Sequence, residues 1–292
     1  MDNILKIESF FKILSCPICF SENLNLQANK LVCFKCGASF DINNEKVFFT
    51  KPVDDFAEKI TPNHFNKKKW SNWRKANFEY FKNYLINAPS SNSILDLGAG
   101  PSQFRELTGR FSLSLSMDFR PLELINVVGD LTKRLPFKNE IFDIVMLSNT
   151  IEHIPNTEFL FSDIQRILKP GGFVIGTIPF LMRVHQKPYD YNRYTYFMLE
   201  RILENASFKK NKVESLGKSV DVYESIQTHF FYYLLSATFS KNKLINTFKK
   251  FVARVVWRMQ RLFLLLFLSF YKNAVDSPDF AQGYGFMAIK NK

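Results

Sequence analysis

The sequence predicts an α/β fold, a largely parallel sheet with helices on both faces, and three observations predict it. Residues 93–97 are a short apolar strand that runs into the glycine-rich turn Gly98-Ala99-Gly100. Residues 141–147 form a continuous apolar run broken only by Asp143, the pattern of a strand buried on both faces. Phe159, Leu160, Ile164, Ile167 and Leu168 then recur at helical spacing, Pro170-Gly171-Gly172 stops that helix, and residues 173–178 are again an apolar strand. Strands that alternate with helices are joined by crossovers, and crossovers make neighbouring strands parallel.

The chain has 292 residues, 46% of them hydrophobic and 23% charged. That is enough apolar material for a core, so a disordered or collagen-like chain is excluded. Phe reaches 32 residues and aromatics 16%, more than one core needs, which points to a second apolar surface. The net charge of +12 is uneven: Lys241, Lys243, Lys249, Lys250, Arg254, Arg258, Arg261 and Lys272 lie in one stretch without Asp or Glu. The rest of the chain is close to balance and does not read as a general nucleic-acid binder, although Lys67, Lys68, Lys69, Arg74 and Lys75 form a smaller basic cluster.

From the N-terminus, residues 1–14 contain Asp2 and Glu8 and lack the apolar run of a secretory signal, so a cytoplasmic location is expected. The four cysteines are then reduced or metal-bound rather than paired. They stand as Cys16-Pro-Ile-Cys19 and Cys33-Phe-Lys-Cys36. Each pair makes a tight turn offering two thiolates, and two such turns complete a tetrahedron around Zn²⁺. Residues 23–32 between them alternate like a hairpin, and Gly37 permits the positive φ that such a knuckle needs. Redox-active or free thiols are the alternative, but a redox pair requires no second pair. A closed Cys₄ set leaves no open position, so the zinc is expected to be structural.

After a linker and leading helix comes the glycine turn. The dinucleotide fingerprint needs a third glycine where Gln103 stands, so close approach of a pyrophosphate is not provided for. What remains is Asp96 just before the turn and Asp118 at the end of a second apolar strand, residues 112–117, with a helix expected over 102–109 between them. A carboxylate at that strand end suits a ribose diol, so the ligand reads as a nucleoside without a pyrophosphate.

Here the sequence resembles the class I S-adenosylmethionine-dependent methyltransferases, in their ubiquinone/menaquinone-biosynthesis-like branch. The resemblance runs over residues 93–180 and rests on Asp96-Leu-Gly-Ala-Gly100, Asp118, Gly129-Asp130-Leu131, Pro136-Phe137, Phe142-Asp143, Ile151-Glu152-His153 and Leu168-Lys169-Pro170-Gly171-Gly172-Phe173. It implies a seven-stranded Rossmann-like sheet. It also implies that Asp96, Gly98 and Gly100 contact the methionine part of the cofactor, that Asp118 binds the ribose, that Asp130 with Leu131 holds the adenine edge, and that Ser148 is a further cofactor-binding residue. Pro101-Ser102 departs from the small residues usual after the turn. The cysteine region is similar to the small zinc ribbons that precede or partner methyltransferases.

A helix over 195–206, with Thr195 as N-cap, leads to a strand at 212–216, and residues 284–289 match the last, antiparallel strand of the resembled fold. Residues 217–279 between them are an enlarged connection. In it Leu244, Ile245, Phe248, Phe251, Val252, Val255, Val256, Met259, Leu262, Phe263, Leu266, Phe267 and Phe270 form a helical stripe that Lys249, Lys250, Arg254, Arg258 and Arg261 leave free. The all-apolar end, 262–271, is too short to cross a bilayer that needs about 20 residues. A helix lying in the plane of an anionic membrane fits better, with residues 230–235 as an apolar companion. Packing on the domain, or a homo-oligomer interface, is the alternative.

Methyl transfer is an in-line displacement in a dry pocket, and a hydroxyl or carbon acid also needs a base. In the resembled fold the acceptor faces residues 148–153 and 180–194. His185 is the first candidate base, His153 the second, with Asp190 assisting; Arg183, Tyr189, Tyr191 and Arg193 are candidate substrate contacts. The expected organisation is a zinc ribbon over 1–50, a linker and helix over 51–92, the core over 93–217, the basic insertion over 218–279 and the last strand over 280–292. The expected activity is O- or C-methylation of a small-molecule or lipid-linked acceptor, a glycan intermediate or a quinone, at the inner membrane face. RNA methylation guided by the ribbon is a second reading; Ser148-Asn-Thr-Ile151 stands where base-amine methylases carry [D/N]-P-P-[Y/F]. A non-catalytic cofactor-binding scaffold is a third.

Overall fold

The structure is a computed structural model and describes residues 6–52, 65–237, 242–270 and 277–291. Part of the expected linker (53–64), Lys241, Lys272 and the Tyr271 end of the apolar helix lie outside the described residues. The chain divides into two compact units, the first of residues 1–179, 184–214 and 284–292, the second of 180–183 and 215–283.

The first unit begins with a short helix α1 (Ile7–Phe10) and the strands β1 (Leu24–Gln27), β2 (Lys30–Cys33), β3 (Ser39–Asn43) and β4 (Lys46–Phe48), an antiparallel meander. Asn44 and Glu45 link β3 to β4 with φ of 49° and 61°, the two successive left-handed residues of a tight hairpin turn. Helix α2 (Asn72–Leu85) follows, its Ser71 hydroxyl accepting the Arg74 amide at 3.2 Å. It packs Phe78 and Phe81 with Trp70 and Phe104 at centroid distances of 5.5 to 6.0 Å. Much of the Phe surplus is therefore core: Phe10, Phe137, Phe142, Phe161 and Phe286 are buried as well.

The core strands are β5 (Ser93–Leu97), β6 (Leu113–Asp118), β7 (Val127–Val128), β8 (Phe142–Ser148), β9 (Leu168–Pro179), β10 (Phe208–Leu216) and β11 (Gly283–Lys290). Their order is β7-β6-β5-β8-β9-β11-β10, and the pairs among β5 to β9 are parallel. The sheet is larger than the expected seven strands. β4 pairs in parallel with β7, Val47 opposite Val127 and Phe48 opposite Val128, so the cysteine module's meander continues the core sheet to eleven strands. A short antiparallel bridge of Leu14 to Phe137 ties the same module to the core.

Three local expectations shift. The helix expected over 102–109 is only α3 (Arg105–Thr108), because Ser102 takes φ +54° and is buried. Helix α4 (Thr157–Ile167) ends as expected, but β9 begins at once and loops Lys169-Pro170-Gly171-Gly172 out as a bulge between the pairs Phe142–Leu168 and Ile144–Phe173. Asp143, the polar break in the apolar run, accepts the Ser93 amide and hydroxyl and the Lys169 ammonium, each at 2.8 Å, and so fastens β5, β8 and the bulge together. Burial alone would raise its pKa, and these donors hold it below the usual carboxylate value. Finally β10 begins at Phe208, ahead of its expected start. Helix α5 (Tyr196–Asn205) carries Thr195 as N-cap, accepting the Met198 amide.

The second unit contains α6 (Ser219–Ser236) and α7 (Lys243–Phe270), joined by a Gln227–Gln260 hydrogen bond of 2.9 Å and an Arg261–Glu224 ion pair of 3.4 Å. Every residue of the apolar stripe predicted for α7 is exposed, from Leu244 at 79% to Phe270 at 82%. No helix among the described residues is long and apolar enough to cross a membrane.

Candidate active site

The carboxyl ends of the parallel strands carry the predicted cofactor residues. Asp96, one residue before the end of β5, is buried; burial, and then the charge of Asp118, raise its pKa to about 8 against the opposing pull of Arg105. Its Oδ1 has no hydrogen-bond partner among the described residues. Asp118 closes β6 and holds the turn: Oδ2 accepts the Gly100 amide at 2.8 Å and Oδ1 the Arg120 amide at 2.9 Å. Gly98 has φ +68°, and a Cβ there would lie 2.6 Å from Thr150 Oγ1 and nearer still to its Cγ2. The Thr150 hydroxyl donates to the carbonyls of Leu97 and Ser148, 3.2 Å each, which joins the ends of β5 and β8. After β7, Asp130 Oδ1 accepts the Thr132 amide at 2.8 Å and hydroxyl at 2.7 Å, and Leu131 is buried.

Asp96, Gly98, Gly100, Asp118, Asp130, Leu131 and Ser148 thus sit at the ends of four adjacent strands, where open α/β sheets bind ligands. A buried carboxylate oxygen lacking a partner fits an ammonium such as the one on the cofactor's amino-acid end. Asp118 also accepts Arg120 Nε on Oδ1 at 3.3 Å, and Oδ2, with the Gly100 amide alone, keeps a lone pair that fits a hydroxyl of a diol.

Beside them, β8 turns through the 3-10 segment Ile151–His153, and the loop after β9 folds back onto it: the Tyr191 and Asn192 amides donate to the Glu152 carbonyl at 2.9 and 3.1 Å. This brings His153 and His185 together, ring centroids 5.1 Å apart. His153 Nδ1 lies 2.7 Å from the Tyr189 carbonyl, which only a protonated Nδ1 can satisfy, and burial holds the imidazole's pKa below its usual value. His185 Nδ1 is 3.2 Å from Asp190 Oδ2, which also accepts the His185 amide at 2.7 Å. Arg193 grips Asp190 through both guanidinium nitrogens, so it is committed inside the loop. Burial would raise the Asp190 pKa, but Arg193 and the His185 amide outweigh it and hold Asp190 ionised. Tyr189 and Tyr191 are exposed on the same loop, whereas Arg183 belongs to the second unit.

Sequence reasoning passed over two members of this site. Thr150 carries no signature of its own. Glu152 stands in the quoted Ile-Glu-His motif, yet its burial is visible only in three dimensions: it is 0% exposed, neither carboxylate oxygen has a hydrogen-bond partner among the described residues, and burial raises its pKa to about 8.

In the cysteine module, Cys16 Sγ and Cys36 Sγ are 3.7 Å apart and Cys19 Sγ and Cys33 Sγ 3.5 Å. A ZnS₄ tetrahedron with bonds of about 2.3 Å has edges of about 3.8 Å, so the four thiols fit the ion.

Residues 95–176 match the family described as the methyltransferase domain. No curated protein matches the sequence. Among solved structures it is similar to phosphoethanolamine N-methyltransferase 2 of Haemonchus contortus in complex with S-adenosyl-L-methionine, at 19% identity and a TM-score of 0.44, over 75% of this chain and 53% of that one. It therefore spans about half the length of that protein. It is also similar to a SAM-dependent methyltransferase of Archaeoglobus fulgidus, at 19% identity and a TM-score of 0.46, over 73% of this chain and 92% of that one.

Proposed function

We propose that this chain, whose residues 95–176 match the methyltransferase domain, moves the methyl group of S-adenosylmethionine to an oxygen or carbon of a membrane-associated or lipid-linked acceptor. When bound, the sulfonium supplies an activated methyl carbon, and the displacement at that carbon is in line. Asp96, Gly98, Gly100 and Ser148 hold the amino-acid end, Asp118 the ribose, and Asp130 with Leu131 the adenine edge. The cluster of Glu152, His153, His185 and Asp190 receives the acceptor and takes its nucleophile to the ionised form. Tyr189 and Tyr191, exposed beside it, contact the rest of the acceptor. The four cysteines hold a structural Zn²⁺.

The observation that carries the membrane part is the exposure of the whole apolar stripe of α7. Each large apolar side chain left in water forgoes about 1.5–3 kcal/mol relative to burial. Lys249, Lys250, Arg254, Arg258 and Arg261 share that helix, and a cation near anionic headgroups gains on the order of 1 kcal/mol. A helix with exposed apolar residues and a cationic flank suits the inner face of a membrane, and the acceptor would be found there.

The test is flotation with vesicles containing phosphatidylserine, combined with transfer of labelled methyl from the cofactor to a membrane lipid extract or to total RNA. Recovery with the vesicles, lost when Arg254, Arg258 and Arg261 become Glu, and label in the lipid fraction are expected. Protein that stays soluble beside anionic vesicles refutes the membrane reading, and label in RNA moves the acceptor to nucleic acid.

A further inference from the structure

The acceptor side of the site holds two imidazoles around a buried carboxylate, more than a single general base requires. We propose that Glu152, His153 and His185 bind a first-row divalent cation, separate from the cysteine site. Oε1 of Glu152 lies 3.7 Å from His153 Nε2 and 3.8 Å from His185 Nε2, and one ligand atom from each residue lies within 4.8 Å of the others. Bonds of about 2.0–2.2 Å place neighbouring ligands about 3–3.5 Å apart, so a cation draws the three inward by roughly half an ångström.

Three independent features point to a cation. First, Glu152 is wholly buried and both its oxygens lack a hydrogen-bond partner among the described residues, an arrangement that costs several kcal/mol for a charged carboxylate unless a cation compensates it. Second, His153 is held through Nδ1 by the Tyr189 carbonyl, which leaves the lone pair on Nε2; that atom is buried and without a hydrogen-bond partner. Third, His185 Nδ1 faces Asp190 Oδ2 at 3.2 Å; with Nδ1–H directed to that carboxylate, to which Arg193 Nη2 also donates at 2.7 Å, the ring's lone pair is on Nε2, the atom turned to Glu152. Imidazoles fixed at one nitrogen by a carbonyl and a carboxylate are the usual outer support of metal-bound histidine. Two imidazoles and a carboxylate select Zn²⁺, Mn²⁺ or Fe²⁺ over Ca²⁺ and leave coordination positions open.

The role of the ion rests on the methyltransferase reading, although its binding does not. An acceptor hydroxyl that occupies an open position gives its proton to water at near-neutral pH. The resulting oxygen bonds to the methyl carbon as the C–S bond breaks, and that electron pair stays on sulfur as the neutral thioether. His185 then acts as a ligand, with Asp190 as a positioning residue.

The test titrates the purified full chain, washed with citrate, which is too weak to strip zinc from four thiolates, with Mn²⁺ and reads binding by electron paramagnetic resonance. Mn²⁺ prefers carboxylate and imidazole to thiolate, so the cysteine site does not enter the count. One bound Mn²⁺ per chain is expected. Glu152→Gln and His153→Ala should each abolish it, and Asp190→Asn should weaken it about 10–100-fold, with zinc content and circular dichroism unchanged. A wild-type chain that leaves even the first equivalent of Mn²⁺ free, or variants that titrate like a binding wild type, overturns the proposal. Calorimetry with S-adenosylmethionine separates the two ideas: cofactor binding without Mn²⁺ sinks only the cation, and Mn²⁺ binding without cofactor sinks only the methyltransferase reading.

Discussion

Gly98→Ala tests whether the cofactor turn is shaped by the strand beside it. The added Cβ meets two costs. At φ +68° an L side chain sits in the left-handed region, which disfavours Ala by about 1–2 kcal/mol. The same Cβ lies 2.6 Å from Thr150 Oγ1, closer to Cγ2, and 3.1 Å from Thr150 Cβ, an overpacking worth about 1–3 kcal/mol. Together they predict a loss of roughly 2–5 kcal/mol, seen as a fall of about 3–8 °C in the melting temperature. Thr150→Ala removes the two nearest atoms and keeps the third. Alone it forfeits a hydroxyl shared between two carbonyls, about 1 kcal/mol. In the double variant the overpacking disappears and the backbone strain stays, so the two substitutions should couple by about 1–3 kcal/mol in urea unfolding. Additive effects would refute the close approach of β5 and β8, and an unaltered melting curve for Gly98→Ala would refute the turn geometry itself.

Two further outcomes follow from charges and thiols. The folded protein keeps a proton on Asp96 up to about pH 8, whereas the unfolded chain releases it near the ordinary carboxylate value, so stability is full in acid and is lost as pH rises through the folded value. Asp96→Asn should flatten that decline, which is on the order of 4 kcal/mol by neutral pH, in denaturation curves taken between about pH 4 and 8; parallel curves for the two proteins would contradict it. Cys16→Ser should lower the zinc content of purified protein and raise amide exchange over residues 16–48, and a full equivalent of zinc with unchanged exchange would rule out the Cys₄ site.

The parts legible in the sequence are those set by local chemistry. Asp96, the two glycines and Asp118 announce themselves because a strand end, a left-handed turn and an acid are each encoded within a few residues. The stripe of α7 is legible because periodicity is local too, and its exposure accords with a stripe that needs a partner. Features that depend on distant segments are not legible. Nothing near Val47 or Val127 shows that the two residues pair, and Pro170-Gly171-Gly172 ends a helix in any local reading although here it also bulges inside a strand. Glu152 reads as an ordinary acid until the loop of residues 184–195 is folded over it. Arg193 reads as a free cation until Asp190 is seen in its grip.

The position of the two outermost strands governs how copies of the protein meet. Pairing of β4 with β7 covers one flank of the core, and among the described residues the sheet then ends at β1, four residues with Asn25 and Gln27 exposed. The opposite end is β10, where Lys209, Lys210 and Glu214 interrupt the rim and Lys210 has φ +52°. Short, polar or lysine-bearing rims resist the strand-to-strand growth that turns open sheets into aggregates. Unfolding of the cysteine module would bare Val127 and Val128, an apolar and uncharged rim, so metal starvation should precipitate this protein well before it melts the parallel core.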